Sequence, residues 1–188
     1  MTERATWDRR YETADPPAPP SPFVVAQATA LAAAGAPGRA LDLACGAGRH
    51  VRLLADLGFS SVALDFSLAA VGRAASGPAF GVVADAGALP FRTGSFDLIV
   101  QTCFLDRALF PTLSALLRPG GVLIAETFAL AQFEATGHPR REYCLGPGEF
   151  EHLCEAPETG LEITAASSAD RGDEKKPRHL CAIAARRA

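Results

Sequence analysis

Between residues 39 and 128 short apolar runs alternate with amphipathic stretches. RALDLA (39–44), SVALDF (61–66), FGVVAD (80–85), FDLIVQTC (96–103) and VLIAETF (122–128) read as strands. The fourth is almost continuously apolar, as a strand buried on both faces must be. Between them, residues 48–57 predict a helix with Val51, Leu53, Leu54 and Leu57 inward, closed by Gly58. Ser67–Ala75 predicts a short helix N-capped by Ser67, and 106–117 another, followed by a Pro119-Gly120-Gly121 turn. Ahead of this rhythm, residues 23–34 have apolar residues at helical spacing, stopped by Gly35 and Pro37. Residues 1–22 are polar, with a short helix at 6–12 and then Pro16, Pro17, Pro19, Pro20 and Pro22, which no helix or central strand accommodates. After residue 128 the reading is a polar loop (129–147), a short helix at 148–155, and strands 161–167 and 179–185 joined by the charged turn ADRGDEKKPR.

Strand and helix alternating in this way predict right-handed βαβ units, hence a doubly wound α/β sheet of the Rossmann-like kind: parallel strands with helices on both faces, followed by an antiparallel hairpin. The 188 residues suit one domain, with 1–22 as an N-terminal lid segment and 23–188 as the α/β core.

Composition narrows the function classes. The formal net charge is −3, where a nucleic-acid binder more often carries a basic surplus, so no nucleic-acid partner is expected. The five cysteines (Cys45, Cys103, Cys144, Cys154, Cys181) include no C-x-x-C pair and their number is odd. Neither a disulfide framework nor a metal site is expected, and reduced thiols in a cytoplasmic protein are. No apolar run approaches the roughly 20 residues that span a bilayer, and the N-terminus has no signal-peptide pattern.

The chemistry concentrates in Asp42-Leu43-Ala44-Cys45-Gly46-Ala47-Gly48, which leaves the first strand and enters a helix. Glycines there let the backbone approach a ligand at the carboxyl edge of the sheet, where open α/β sheets bind. Asp65 ends the second strand, placed either to take ribose hydroxyls or to cap a helix. Asp85 ends the third, before Ala86 and the run Ala88-Leu89-Pro90-Phe91, placed to accept from an adenine amino group or to cap its own turn. A nicotinamide dinucleotide fingerprint needs a third glycine, and Arg49, His50 and Val51 follow Gly48 instead. A cofactor with an amino-acid moiety fits better, with Asp42 near its cationic groups.

Taken together, LDLACGAGRH, SVALDFS, VVADAGALPF, GSFDLIVQTCF and LLRPGGVLIAETF resemble the five motifs of class I S-adenosylmethionine-dependent methyltransferases, with Ala44 where many members have glycine. WDRRY (7–11) and the segment ETFALAQF…GHPR…LGPGEF look closest to small methyltransferases of the tellurite-resistance type. The resemblance implies a seven-stranded sheet, mostly parallel with an antiparallel last strand, and S-adenosyl-L-methionine as cofactor. It implies that Asp42, Ala44, Cys45, Gly46 and Gly48 line the amino-acid end of that cofactor. Asp65 and Phe66 would hold ribose and one adenine face, Asp85 and Ala86 the adenine edge. Gln101 and Cys103 would face the methyl group, and Trp7 and Tyr11 would cover the pocket.

Methyl transfer is an in-line displacement that needs alignment in a dry pocket more than a catalytic constellation. Candidates on the acceptor side are Phe104, Arg107, Glu126, His138, Arg140 and Arg141. Arg107 offers a forked contact to an anion, or is a solvated arginine at a helix start; His138 offers a base, or is a plain loop histidine. His50 and His152 are given no role, and Cys103 reads as a buried structural thiol rather than a nucleophile. The expected reaction is methyl transfer to a small-molecule acceptor, an oxyanion or a thiol-like nucleophile. The alternatives are a nucleic-acid or protein methyltransferase, against which Gln101-Thr102-Cys103-Phe104 stands where an N/D-P-P-Y/F type motif is usual, and a binding module without catalysis.

Overall fold

The computed structural model describes residues 3–35, 37–77, 79–173 and 176–188. Its framework is a seven-stranded sheet in the order β3-β2-β1-β4-β5-β7-β6. The strands are β1 (Arg39–Leu43), β2 (Ser60–Asp65), β3 (Phe80–Val83), β4 (Phe96–Thr102), β5 (Leu117–Phe128), β6 (Leu161–Asp173) and β7 (Lys176–Arg187). Pairings from β3 through β5 are parallel; β7 runs antiparallel to both β5 and β6. The order starts at β1 and winds outward both ways, which places the switch between β1 and β4 at the centre of the sheet.

Strand alternation sorts the apolar residues onto two faces. Leu41, Leu43, Ile99, Leu123 and Ile183 join Leu113 of α5 (Phe110–Leu116) and Phe150 of α7 (Glu149–Glu155) in one core. Ala40, Leu98, Val100, Ile124 and Ala184 join Val24 and Ala28 of α2 (Pro22–Ala33) and Leu54 of α3 (Arg49–Asp56) in the other. Helix α4 (Leu68–Ala74) is N-capped by Ser67, whose Oγ accepts from the Ala70 amide as its sequence position predicts. The remaining helices are α1 (Glu3–Glu12) and α6 (Leu130–Thr136).

Several boundaries differ from the sequence reading. The first helix begins at Glu3, not residue 6. The 106–117 helix divides into a single turn at 107–109 and α5. Pro119-Gly120-Gly121 lies within β5, where the ladder jumps from Phe96↔Leu117 to Leu98↔Val122, a bulge that absorbs the turn. The 129–147 segment is not a plain loop, since it contains α6 and a turn at 141–143. The hairpin is far longer than 161–167 and 179–185. Its pairing continues to Asp173↔Lys176, because polar side chains on both faces hide a two-stranded ribbon from a hydrophobicity pattern. Glu174 and Lys175 of the expected turn, and Met1 and Thr2 of the expected lid, lie outside the described residues.

Candidate active site

The turn after β1 is built from left-handed backbone. Ala44 (φ 53°), Gly46 (φ 53°) and Gly48 (φ 82°) alternate with ordinary residues, so the chain reverses within five positions. Three amides of this turn are satisfied internally. Cys45 donates to the Leu64 carbonyl at 3.0 Å, Gly48 to the Cys45 carbonyl at 3.0 Å, and Gly46 to Asp65 Oδ2 at 2.9 Å. Gly48 is required by packing, since a Cβ there would sit 2.6 Å from Ala74 Cα in α4. Gly46 leaves room for the Tyr11 hydroxyl, which a Cβ there would meet at 2.7 Å.

The acids at the strand ends brace this turn. Asp42, almost fully buried, accepts from the Val51 amide at 3.0 Å and so fixes the first turn of α3. Burial pushes its carboxyl up to about 7. Asp65 divides its oxygens between the Gly46 amide and the Ser67 amide, each at 2.9 Å, and burial raises its carboxyl too. It ties the glycine turn to the start of α4, so it is not only a strand-end group facing a ligand. Asp85 caps its own turn, Oδ1 accepting from Gly87 at 2.8 Å, and is exposed beside half-buried Ala86.

Helix α1 lies across the site. The Tyr11 hydroxyl packs on Gly46, and burial, then the nearby Asp65 carboxylate, hold it up at about 12, a neutral donor. The Trp7 ring stacks on Tyr11 with centroids 6.0 Å apart. The Arg4 guanidinium covers the Phe66 ring at 4.8 Å. Polar links anchor this helix on α4: Asp8 Oδ1 accepts from Ser67 Oγ at 2.6 Å, and Arg73 donates to the carbonyls of Tyr11, Ala14 and Asp15.

On the other side of β1, β4 ends in Gln101-Thr102-Cys103. Gln101 is buried; its Nε2 donates to the Phe104 carbonyl at 2.9 Å, while Oε1 has no partner among the described residues. Cys103, expected to be a buried thiol, is instead exposed and left-handed, φ 54°, since it follows the last residue of β4. Beside it runs a buried polar chain that the sequence reading missed. Ser21 N donates to His50 Nε2 (3.0 Å), His50 Nδ1 faces Thr102 Oγ1 (3.2 Å), and Ser21 Oγ donates to Glu126 Oε2 (2.6 Å), which also pairs with Arg171 at 3.4 Å. His50, given no role from sequence, joins the start of α2 to β4. Burial drives its imidazole down to about 3, so the ring is neutral, with its proton on Nδ1. The one available signal was its place directly after the glycine turn, on the helix face that must turn inward.

The two residues expected to act on the acceptor are placed differently. Arg107 is not a free forked donor: Nε donates to Glu149 Oε1 at 2.5 Å, Nη2 to Glu149 Oε2 at 3.2 Å, and further bonds reach the Glu142 and Cys144 carbonyls. With its donors on these partners it staples the 141–149 segment. His138 is exposed; its backbone amide and carbonyl both meet Thr136 Oγ1. Arg140 pairs with Glu142 at 3.7 Å on the surface. Among the described residues no group of three or more His, Cys, Asp or Glu is placed to hold a metal, and no helix is long and apolar enough to cross a membrane.

Residues 41–125 match the family model described as a methyltransferase domain. The chain is 37% identical over 102 residues to demethylmenaquinone methyltransferase of Renibacterium salmoninarum, covering 50% of this chain and 43% of that protein. It is 38% identical over 121 residues to the enzyme of the same name from Beutenbergia cavernae, covering 58% and 50%. The chain thus spans about half the length of these relatives. Its fold is similar to the N-methyltransferase NodS of Bradyrhizobium japonicum, solved with S-adenosyl-L-homocysteine (TM-score 0.72, 19% identity, 98% of this chain and 97% of that one). The sheet therefore has the fold of solved methyltransferases, and residues 41–125 match a methyltransferase domain.

Proposed function

We propose that this protein transfers a methyl group from S-adenosylmethionine to a small-molecule acceptor. The observation that carries the reading is the left-handed turn at 44–48, braced by Asp42 and Asp65 and set beside the buried Gln101, whose Oε1 has no donor among the described residues. These features fit the cofactor. A non-glycine residue held left-handed at Ala44 and an orphaned buried oxygen are both costs to the fold, and such costs gather where a ligand binds. Bound S-adenosylmethionine supplies an electrophilic methyl group on a sulfonium.

The chain's own residues do the rest. The turn at Ala44, Cys45, Gly46 and Gly48 presents backbone free of large side chains to the amino-acid end, with Asp42 below it. Phe66, Asp85 and Ala86 flank the nucleoside end, and Asp65 shapes the turn they share. Helix α1 is the lid: Trp7 and Tyr11 exclude water, and hydrogen bonds from Asp8 and Arg73 anchor the helix on α4. His138, exposed in the segment after α6, stays a candidate base for a nucleophile that carries a proton.

The resemblance to the tellurite-resistance type supports an oxyanion or thiol-like acceptor. The relatives' name supports a quinone precursor, but the exposed Cys103 beside Arg49 and Arg178 favours the smaller, polar class. A screen of methyl release from labelled cofactor tests this against selenite, tellurite, thiols, phenols, carboxylates, amines and bulk RNA. Turnover with a small polar nucleophile is expected. Turnover confined to RNA would overturn the small-molecule reading.

A further inference from the structure

Beyond the glycine turn, Arg49 of α3, Arg171 of β6 and Arg178 of β7 reach the carboxyl ends of β4 and β5 in a chain whose net charge is −3. Arg49 Nη2 lies 3.7 Å from Cys103 Sγ and 3.4 Å from Thr102 Oγ1. Arg178 Nη2 approaches the same sulfur at 3.9 Å from the opposite strand system, its guanidinium 5.8 Å from the Phe128 ring centroid. Neither arginine forms an ion pair among the described residues. Arg171 stands directly across the ladder from Arg178 and is neutralised by Glu126 at 3.4 Å.

Arg171 has its counter-charge in Glu126, whereas Arg49 and Arg178 converge on Cys103 with no carboxylate paired to either among the described residues. An anion between them would supply that counter-charge, and a guanidinium pair matches the planar, forked geometry of an oxyanion. Two further features mark the same spot. Cys103 is held left-handed, a strained state for a residue with a Cβ, and two positions before it the buried Gln101 Oε1 has no donor among the described residues.

We propose that Arg49 and Arg178 clamp an oxyanion of the methyl acceptor, a carboxylate or phosphate, beside Cys103. The proposal rests on the methyltransferase reading and names its substrate class. The cofactor's own carboxylate shares this chemistry. The acceptor is the assignment because Arg178 comes from β7, which β4 and β5 separate from the β1–β2–β3 half of the sheet that carries the glycine turn, Asp65 and Asp85.

Cys103, the exposed cysteine, reports on the clamp. Iodoacetate and iodoacetamide differ in charge and little in size, so their relative rates of alkylating Cys103 measure the local preference for an anion. Rates are read by peptide mass spectrometry with and without saturating S-adenosylhomocysteine, and divided by the same ratio for glutathione. In the unsubstituted protein the normalised preference for iodoacetate is expected to be about tenfold, and to persist with S-adenosylhomocysteine bound. Arg178→Met should lower it to about threefold, the share left to Arg49, and Arg178→Lys should keep most of it, which separates lost charge from lost folding. A normalised ratio near one in the unsubstituted protein overturns the clamp. A preference that vanishes on adding S-adenosylhomocysteine, with weaker binding of that ligand by Arg178→Met, overturns the acceptor assignment in favour of the cofactor's carboxylate. Absence of S-adenosylhomocysteine binding, read by calorimetry on the same sample, overturns the methyltransferase reading itself and is distinct from either result.

Discussion

Ala44 and Gly48 occupy the same turn in the same left-handed region, yet their surroundings make opposite demands. Gly48 faces the α4 backbone at Ala74, whereas Ala44 tolerates its methyl group. Gly48→Ala should therefore destabilise the protein by about 2–4 kcal/mol, the sum of left-handed strain and overpacking. Ala44→Gly should raise stability by about 0.5–1 kcal/mol, since relief of strain outweighs the added freedom of the unfolded chain. Urea denaturation of the two variants checks both signs.

A second residue-scale expectation concerns pH. Burial takes Asp42 from its ordinary 3.8 up to about 7, so between those values the folded state holds a proton that the unfolded chain has released. Stability falls there as pH rises. Burial takes His50 from 6.5 down to about 3, so over that span the unfolded chain holds the extra proton and stability rises with pH. The two slopes oppose each other and nearly cancel between pH 4 and 6.5. Asp42→Asn should expose the rising slope and His50→Gln the falling one, each approaching about 1.4 kcal/mol per pH unit. Parallel pH profiles for the two variants would show that neither group is held as described.

At the scale of elements, α1 differs from every helix around it, with no buried residue and an anchor of hydrogen bonds on α4. Removing residues 1–15 should leave the thermal midpoint of the ligand-free protein within about 2 °C, because little apolar area is lost. It should speed dissociation of S-adenosylhomocysteine at least about tenfold, because the cover over Gly46 goes with it. Stopped-flow displacement and a thermal melt read the two effects separately, and a large loss of stability with unchanged dissociation would make α1 a structural helix instead. The core elements were legible because their apolar periodicity is strong. The long ribbon of β6 and β7, the break before α5, and α6 inside an expected loop were not, since backbone pairing and local turns form there without a hydrophobic signature.

For the molecule as a whole, the doubly wound plan and the turn that defines the crevice follow from strand spacing and from DLACGAG, because glycine placement and strand-end acids are local features. The partners of those acids were not legible. Asp65 sits where it was expected, but its oxygens serve Gly46 and Ser67, and Arg107 faces Glu149, forty-two residues away, rather than an acceptor. Long-range pairings of this kind depend on which segments the fold brings together, as does the chain from Ser21 through His50 to Thr102. The central claim is that this crevice takes S-adenosylmethionine and not a nicotinamide dinucleotide. Isothermal titration of the protein with S-adenosylmethionine, S-adenosylhomocysteine and NAD tests it most directly. Binding of the first two at roughly micromolar levels, with no heat from NAD, is the predicted result, and NAD binding without a response to either sulfur ligand would contradict it.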